Sequence, residues 1–420
     1  RDDVESRGLG DVYKRQYDVW YANYKWIANV NYIIDAEPEM AGTEADVAYV
    51  AGQAYAIRAL CYLNLATWFS RAPYNSLTGA SRWNEPCVPV YTTGTSIDTG
   101  GQPRESLRTV YGRIDQDIDR AIELLEKARE TTLAENNKSH INLYVALGIK
   151  SRACLAEGDW DGAFKAAKRV IDEGGYAVGT KSDLTSGMNS LDKQNVMWGA
   201  GIQVADQAGG YAGFFTHMDN KEGAYAKSAP KLISKQLYNR ISATDIRRDW
   251  WDPSDKESPY VSKKFSFANV ASFLGDYIYM RVEEMYFTAA EAALRLDDLK
   301  SARELMNTVM AERDPGYSAN NRSGTLLGAT TTTWTGSFLE NILTHRRIEL
   351  WGEYGRLFDV RRLGQGIDRR TDDGFSEECI SMMNRRNVNI TKADTYDWVL
   401  TIPKAELDAN PNINEEDQNP

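Results

Sequence analysis

Between Tyr17 and Ile34 apolar residues recur every three or four positions (Val19, Trp20, Tyr24, Ile27, Val30, Ile34), the spacing that lines one face of an α-helix. Ala45 to Phe69 repeats the pattern, and from about Ser106 the positions Leu107, Val110, Ile114, Ile118, Ile122 and Leu125 form a single apolar stripe. Asp115, Asp117, Asp119, Arg120 and Lys127 surround that stripe, which predicts an amphipathic helix packed on others. Between the second and third helices, Pro73, Pro86 and Pro89 with Gly79 break the period and predict a long loop from Ser70 to about Pro103.

Two helical hairpins follow. Leu143 to Ala156 and Ala163 to Glu173 are separated by Gly158-Asp159-Trp160, with Gly174-Gly175 as a stop. Met285 to Leu296 and Lys300 to Met310 are joined through Asp297-Asp298-Leu299. Both hairpins place small residues at equivalent positions, Ser151 with Ala163 and Ala290 with Ala302, as closely crossing helices require and as tetratricopeptide repeats do. From Gly179 to Gly275 the helical period weakens, leaving β-like runs at Val196 to Val204 and Tyr260 to Phe267 and a helix at Pro230 to Ile241. The predicted fold is mostly α: a tetratricopeptide-like hairpin scaffold (about 17–175 and 276–363) with an irregular, loop-rich, minor-β part that would bind ligand (about 179–275 and 313–337). A C-terminal segment, 364–420, completes one domain. Residues 1–16 are polar and aperiodic, do not start with Met, and are set apart as a leader foreign to the fold.

Of 420 residues, 49 are Lys or Arg and 60 are Asp or Glu, a net charge of −11 with no basic run, which argues against a nucleic-acid partner. Hydrophobic content of 42% with 26% charged residues is that of a globular protein rather than a disordered one. No stretch approaches the roughly 20 apolar residues of a membrane-spanning helix. Four cysteines without CxxC pairing support neither a disulfide framework nor a zinc ribbon, and Cys61 and Cys154 on apolar helix faces read as buried small hydrophobes. His140, His217 and His345 are too scattered to form a metal site, and no cofactor is expected; Ca2+ stays open, without an acidic loop motif to support it. Nucleophile-elbow, phosphate-loop and dinucleotide glycine motifs are absent.

The densest acidic cluster, Glu349, Glu353 and Asp359, is interleaved with Arg346, Arg347, Arg356, Arg361 and Arg362, which suits ion pairs better than a general acid. No catalytic residue is therefore assigned. Loop aromatics beside amides or carboxylates suit a sugar, whose C–H face stacks on a ring while its hydroxyls take hydrogen bonds. The residues so placed are Tyr74, Trp83, Asn84, Tyr211, Phe215, Trp250 and Trp251, which either bind a glycan or anchor their loops to the body.

Six ordered segments carry a family resemblance. The helix Ala54-Tyr-Ala-Ile-Arg-Ala-Leu-Cys-Tyr-Leu-Asn-Leu, Pro103-Arg104 with Val110-Tyr111 and Ile114, and Gly158-Asp-Trp before Ala163 come first. Arg281-Val-Glu-Glu-Met-Tyr with Ala289-Ala-Glu-Ala follows, then Arg346-Arg-Ile-Glu-Leu-Trp-Gly-Glu-Tyr-Gly-Arg-Leu-Phe-Asp-Val-Arg-Arg-Leu-Gly. Ile402-Pro with Asn410-Pro-Asn and Gln418-Asn-Pro closes the series. Together they resemble the SusD/RagB family of outer-membrane glycan-binding lipoproteins, with His345 where Glu is usual. The resemblance implies a non-enzymatic surface protein that captures oligo- or polysaccharide and delivers it to a SusC-like TonB-dependent transporter. It also implies an N-terminal lipid anchor that this chain lacks. Two other readings stay open: a tetratricopeptide-type scaffold binding a peptide, and an α-helical glycoside hydrolase using two carboxylates.

Overall fold

The computed structural model describes residues 2–96, 98–131, 133, 137–203, 213–375, 377, 380–381 and 395–420, with the side chains of 2–18 and 130 outside the description. Long helices dominate: α1 (Asp2–Ala36), α2 (Glu44–Phe69), α3 (Leu107–Lys127), α4 (Leu143–Glu157) and α5 (Trp160–Glu173). The predicted hairpins are α4–α5 and, after the loop-rich part, α10 (Val282–Arg295) with α11 (Leu299–Ala311). Helices α12 (Phe338–Glu349) and α13 (Arg356–Leu363) close the scaffold. Helix α1 includes segment 2–16, which the periodicity had set apart.

Six of these helices start where the sequence supplies an acceptor for an orphan backbone N–H. Thr43, Ser106, Asn142, Asp159, Asp298 and Ser337 cap α2, α3, α4, α5, α11 and α12 through their side-chain oxygens. Helices α2 and α4 are apolar on most faces and lie in the middle of the body, whereas α3 and α5 keep a polar face outward. Ser151, Ala163, Ala290 and Ala302 are fully buried where the hairpins cross, and α5 packs against α10 so that the two hairpins stack.

The loop-rich part holds four helical turns, α6 (Lys181–Leu184), α7 (Phe214–Met218), α8 (Ala224–Ser228) and α9 (Lys235–Tyr238), and two small antiparallel sheets. Strand β1 (Val196–Ala200) pairs with β4 (Tyr277–Arg281), and β2 (Trp251–Asp252) with β3 (Val261–Ser262). Two differences from the sequence reading stand out. The helix expected at Pro230 to Ile241 shrinks to α9, since Ser234 caps its start and only one turn follows. The run Tyr260 to Phe267 is strand only at β3, because Phe265 and Phe267 leave the ladder to build a satellite core.

Two ion-pair networks are buried in this body. In one, Glu349 accepts from Arg313 Nε at 2.9 Å, Arg281 Nη1 at 3.0 Å and Arg247 Nη1 at 3.2 Å. In the other, Arg346 reaches Asp359 at 2.9 Å and Glu284 at 3.4 Å, and Arg362 holds Glu291 at 2.7 Å. Burial alone would raise Glu349, Glu284, Glu291 and Asp359, but these arginines, with Arg152 foremost at Glu284, keep them below the ordinary carboxylate range.

Candidate functional site

The β1–β4 pair forms one wall of a cavity of about 460 Å³, within the ~300–1,000 Å³ typical of ligand sites. Helix α2 contributes Leu60 and Asn64, α4 contributes Arg152, and the turn after α12 contributes Gly352, Glu353 and Tyr354. Six of the thirteen described lining residues are aromatic: Trp198, Phe214, Phe265, Tyr277, Tyr279 and Tyr354. Trp198 and Tyr279 meet edge to face at 5.0 Å, and Tyr279 is 40% exposed. Phe214 packs edge to face on Phe265 at 5.3 Å and lies 6.0 Å from Tyr277.

Local chemistry fixes these rings. Tyr277 and Tyr279 stand two apart on β4, and the irregular register of β1 brings Trp198 opposite Met280, beside Tyr279. Trp198 is further held by its indole N–H, which donates to the Ser139 carbonyl at 3.3 Å. Gly352 takes φ +75°, and a Cβ there would come within 2.5 Å of the Phe265 ring, so only glycine lets this turn close against the wall. That turn points Glu353 and Tyr354 to the cavity.

The polar groups are few and firmly paired. Arg152 donates through Nε and Nη2 to both oxygens of Glu284 at 2.9 and 2.7 Å, and stacks over Tyr354 at 4.0 Å. Glu353 accepts from Arg281 Nε and Nη2 at 2.8 Å each and from Lys264 Nζ at 2.5 Å. Burial opposes its ionisation, but Arg281 and Lys264 hold the carboxyl below its usual range. Burial in turn lowers the Lys264 ammonium to about 8. A carboxylate so held accepts hydrogen bonds and does not deliver a proton at neutral pH.

The residues that the sequence offered for stacking lie elsewhere. Trp250 and Trp251 are 2% and 1% exposed, and they form a satellite core with Leu184, Ile233, Leu237 and Ile348. The Trp250 indole N–H is spent on the Leu184 carbonyl at 2.8 Å. Phe215, 2% exposed, is buried among Phe214, Phe267 and Tyr277. These three expectations are corrected: their faces are covered by core side chains. Tyr74 packs edge to face on Trp160, Trp83 on Tyr111, and Asn84 is exposed; none lines the cavity. Tyr211 lies outside the described residues. Nor does the expected segment 313–337 reach the cavity. Sequence reasoning missed Trp198, Tyr277 and Tyr279, whose signal was the alternation Tyr277-Ile278-Tyr279 just before an Arg. Among the described residues no group of three His, Cys, Asp or Glu is placed to hold a metal, and no helix is long and apolar enough to cross a membrane.

Stacked helical hairpins with an aromatic-walled cavity at the seam with a loop-rich part define a helical-repeat scaffold adapted to hold a ligand. Residues 220–420 match the family model described as the SusD family, and residues 5–155 match one described as starch-binding and associating with the outer membrane. The chain belongs to the SusD/RagB family. A solved SusD-like carbohydrate-binding protein from Bacteroides vulgatus is similar at 26% identity and TM-score 0.75, over 97% of this chain and 86% of that one. A SusD superfamily protein from Bacteroides thetaiotaomicron has 24% identity and TM-score 0.75 over 96% and 85%. A surface glycan-binding protein from Bacteroides uniformis shares the fold at 17% identity and TM-score 0.67, over 96% and 84%. No curated protein matches the chain.

Proposed function

We propose that this protein is a non-catalytic binder of oligo- or polysaccharide at the bacterial outer-membrane surface, and that it passes its ligand to a SusC-like TonB-dependent transporter. The observation that carries the ligand class is the ring of partly exposed aromatic side chains, Trp198, Phe214, Tyr277, Tyr279 and Tyr354, around a cavity with a few fixed polar groups. Such rings offer stacking faces to sugars, and the carbohydrate-binding relative from Bacteroides vulgatus supports the same class. The described family association with the outer membrane supports the location. Lipid anchoring and transfer to a transporter rest on family membership.

A hydrolytic role is disfavoured by the site. Its carboxylate, Glu353, is held ionised by two cations, whereas a glycosidase needs one protonated carboxylic acid opposite a second carboxylate. Native gels cast with soluble polysaccharides test the proposal: retardation that Trp198→Ala abolishes supports it. Unchanged mobility on every polysaccharide, or release of reducing sugar, counts against it.

A further inference from the structure

Every charge at the cavity wall is answered from behind it. We infer that the cavity selects uncharged glycans and excludes chains of uronate or sulfated sugars, an inference that rests on the cavity being the glycan site. Among the described residues, two charged side chains line it, Arg152 and Glu353. Behind Glu353 lies a closed set in which four cations (Arg247, Lys264, Arg281, Arg313) face four carboxylates (Asp245, Glu283, Glu349, Glu353). Behind Arg152, the carboxylates of Glu284, Asp359 and Glu291 face Arg152, Arg346, Arg362 and Arg295, and the extra cation, Arg295, lies over Trp160 away from the wall. Neither set leaves a spare cation at the wall.

An anionic sugar entering this cavity would shed its hydration among Leu60, Met188, Phe214, Phe265 and Ile278 and find no uncommitted positive charge among the described residues. It would also sit near Glu353, whose two oxygens already accept from Arg281 and Lys264. A neutral hydroxyl meets a different situation. Nη1 of Arg152 has no acceptor among the described residues, while Nε and Nη2 are committed to Glu284 and the Tyr279 carbonyl. With its charge already balanced, this nitrogen serves as a hydrogen-bond donor to a sugar oxygen beside the Tyr354 ring. Aromatic faces then hold the C–H surface of the same sugar.

The test compares matched ligands on the intact protein. Calorimetric titration with neutral malto-, laminari-, cello-, xylo- and manno-oligosaccharides identifies the chain that binds, and Trp198→Ala confirms where. The same chain carrying C6 uronates, or sulfate esters where C6 is absent, is then titrated at 20 and 300 mM salt. We expect the anionic form to bind at least 100-fold more weakly at both salt concentrations. Anionic binding within tenfold of the neutral chain, or stronger and weakening with salt, overturns the selectivity while leaving the glycan site intact. If no chain of either class binds, or Trp198→Ala leaves binding unchanged, the glycan site itself fails and the selectivity fails with it.

Discussion

The rings of Trp198 and Tyr279 meet edge to face with centroids 5.0 Å apart, from two strands that lie far apart in sequence and pair at the cavity wall. Neither ring fills a core position, since Tyr279 is 40% exposed and Trp198 is partly so. Replacing either by Ala should weaken glycan binding about tenfold, the loss of one stacking contact of roughly 1.4 kcal/mol, with the melting temperature little changed. Trp83→Ala should leave affinity unchanged, because its ring packs on Tyr111 outside the cavity. Titration of all three variants with one oligosaccharide checks both statements.

Glu349 is the hub of the larger network, accepting from Arg247, Arg281 and Arg313 in a site with no solvent access. Glu349→Ala leaves these guanidiniums short of a counter-charge and should cost about 3–5 kcal/mol of stability. Lys165→Ala, which breaks the exposed pair with Asp161, should leave the denaturation midpoint where it was. Urea unfolding of the two variants side by side reads the contrast.

His345 gives the protein an acid-sensitive component. Its ring is buried, accepts from Arg247 Nη2 at 2.9 Å, packs edge to face on Tyr317, and feels Arg322 and Glu349. Burial first, then the charges of Arg247 and Arg322, hold its pKa well below the usual 6.5. As pH falls through about 6.5 the unfolded chain takes up a proton that the folded chain refuses, so stability declines from there downward. His345→Gln should flatten the loss of stability between pH 7.5 and pH 5.5; an equal slope in the variant would contradict it.

Glu157 acts in the opposite direction. Burial, then the nearby carboxylates of Asp115 and Asp159, raise its carboxyl to about 8, with Lys150 opposing. The folded protein therefore keeps a proton that the unfolded chain gives up near pH 4.5, and stability falls as pH rises from 4.5 through 8. Glu157→Gln should melt above the parent at pH 9 and close to it at pH 5, as a thermal scan at both values would show.

The turn between α4 and α5 offers a steric test. Gly158 takes φ +77°, and a Cβ there would stand 2.6 Å from the Tyr74 ring. Gly158→Ala combines left-handed strain with that clash and should lower stability by about 1–3 kcal/mol. Restoring the parent midpoint in Gly158→Ala with Tyr74→Ala would show that the clash, rather than the strain, dominates.

The helical scaffold was legible because its determinants are local. Apolar residues at helical spacing, capping oxygens at Thr43, Ser106, Asn142 and Asp298, and the small pairs Ser151/Ala163 and Ala290/Ala302 all act within a few turns of chain. The acidic cluster was also legible as ion-paired, since arginines crowd it in sequence. Its partners were not: Glu349 and Glu353 pair with Arg247, Lys264, Arg281 and Arg313, brought in from distant segments. The aromatic residues show the same divide most sharply. Trp250, Trp251 and Phe215 sit among glycines, prolines and polar residues, as exposed rings would, yet the loop-rich part folds them into cores of its own. Trp198, Tyr277 and Tyr279 lie in short strands that looked unremarkable, yet strand pairing leaves them at the cavity. The sequence by itself determined the helices, their hairpins and the family, because periodicity and caps are properties of neighbouring residues. Which ring faces a ligand and which fills a core was decided only by tertiary structure, because burial depends on what the distant chain places against each ring.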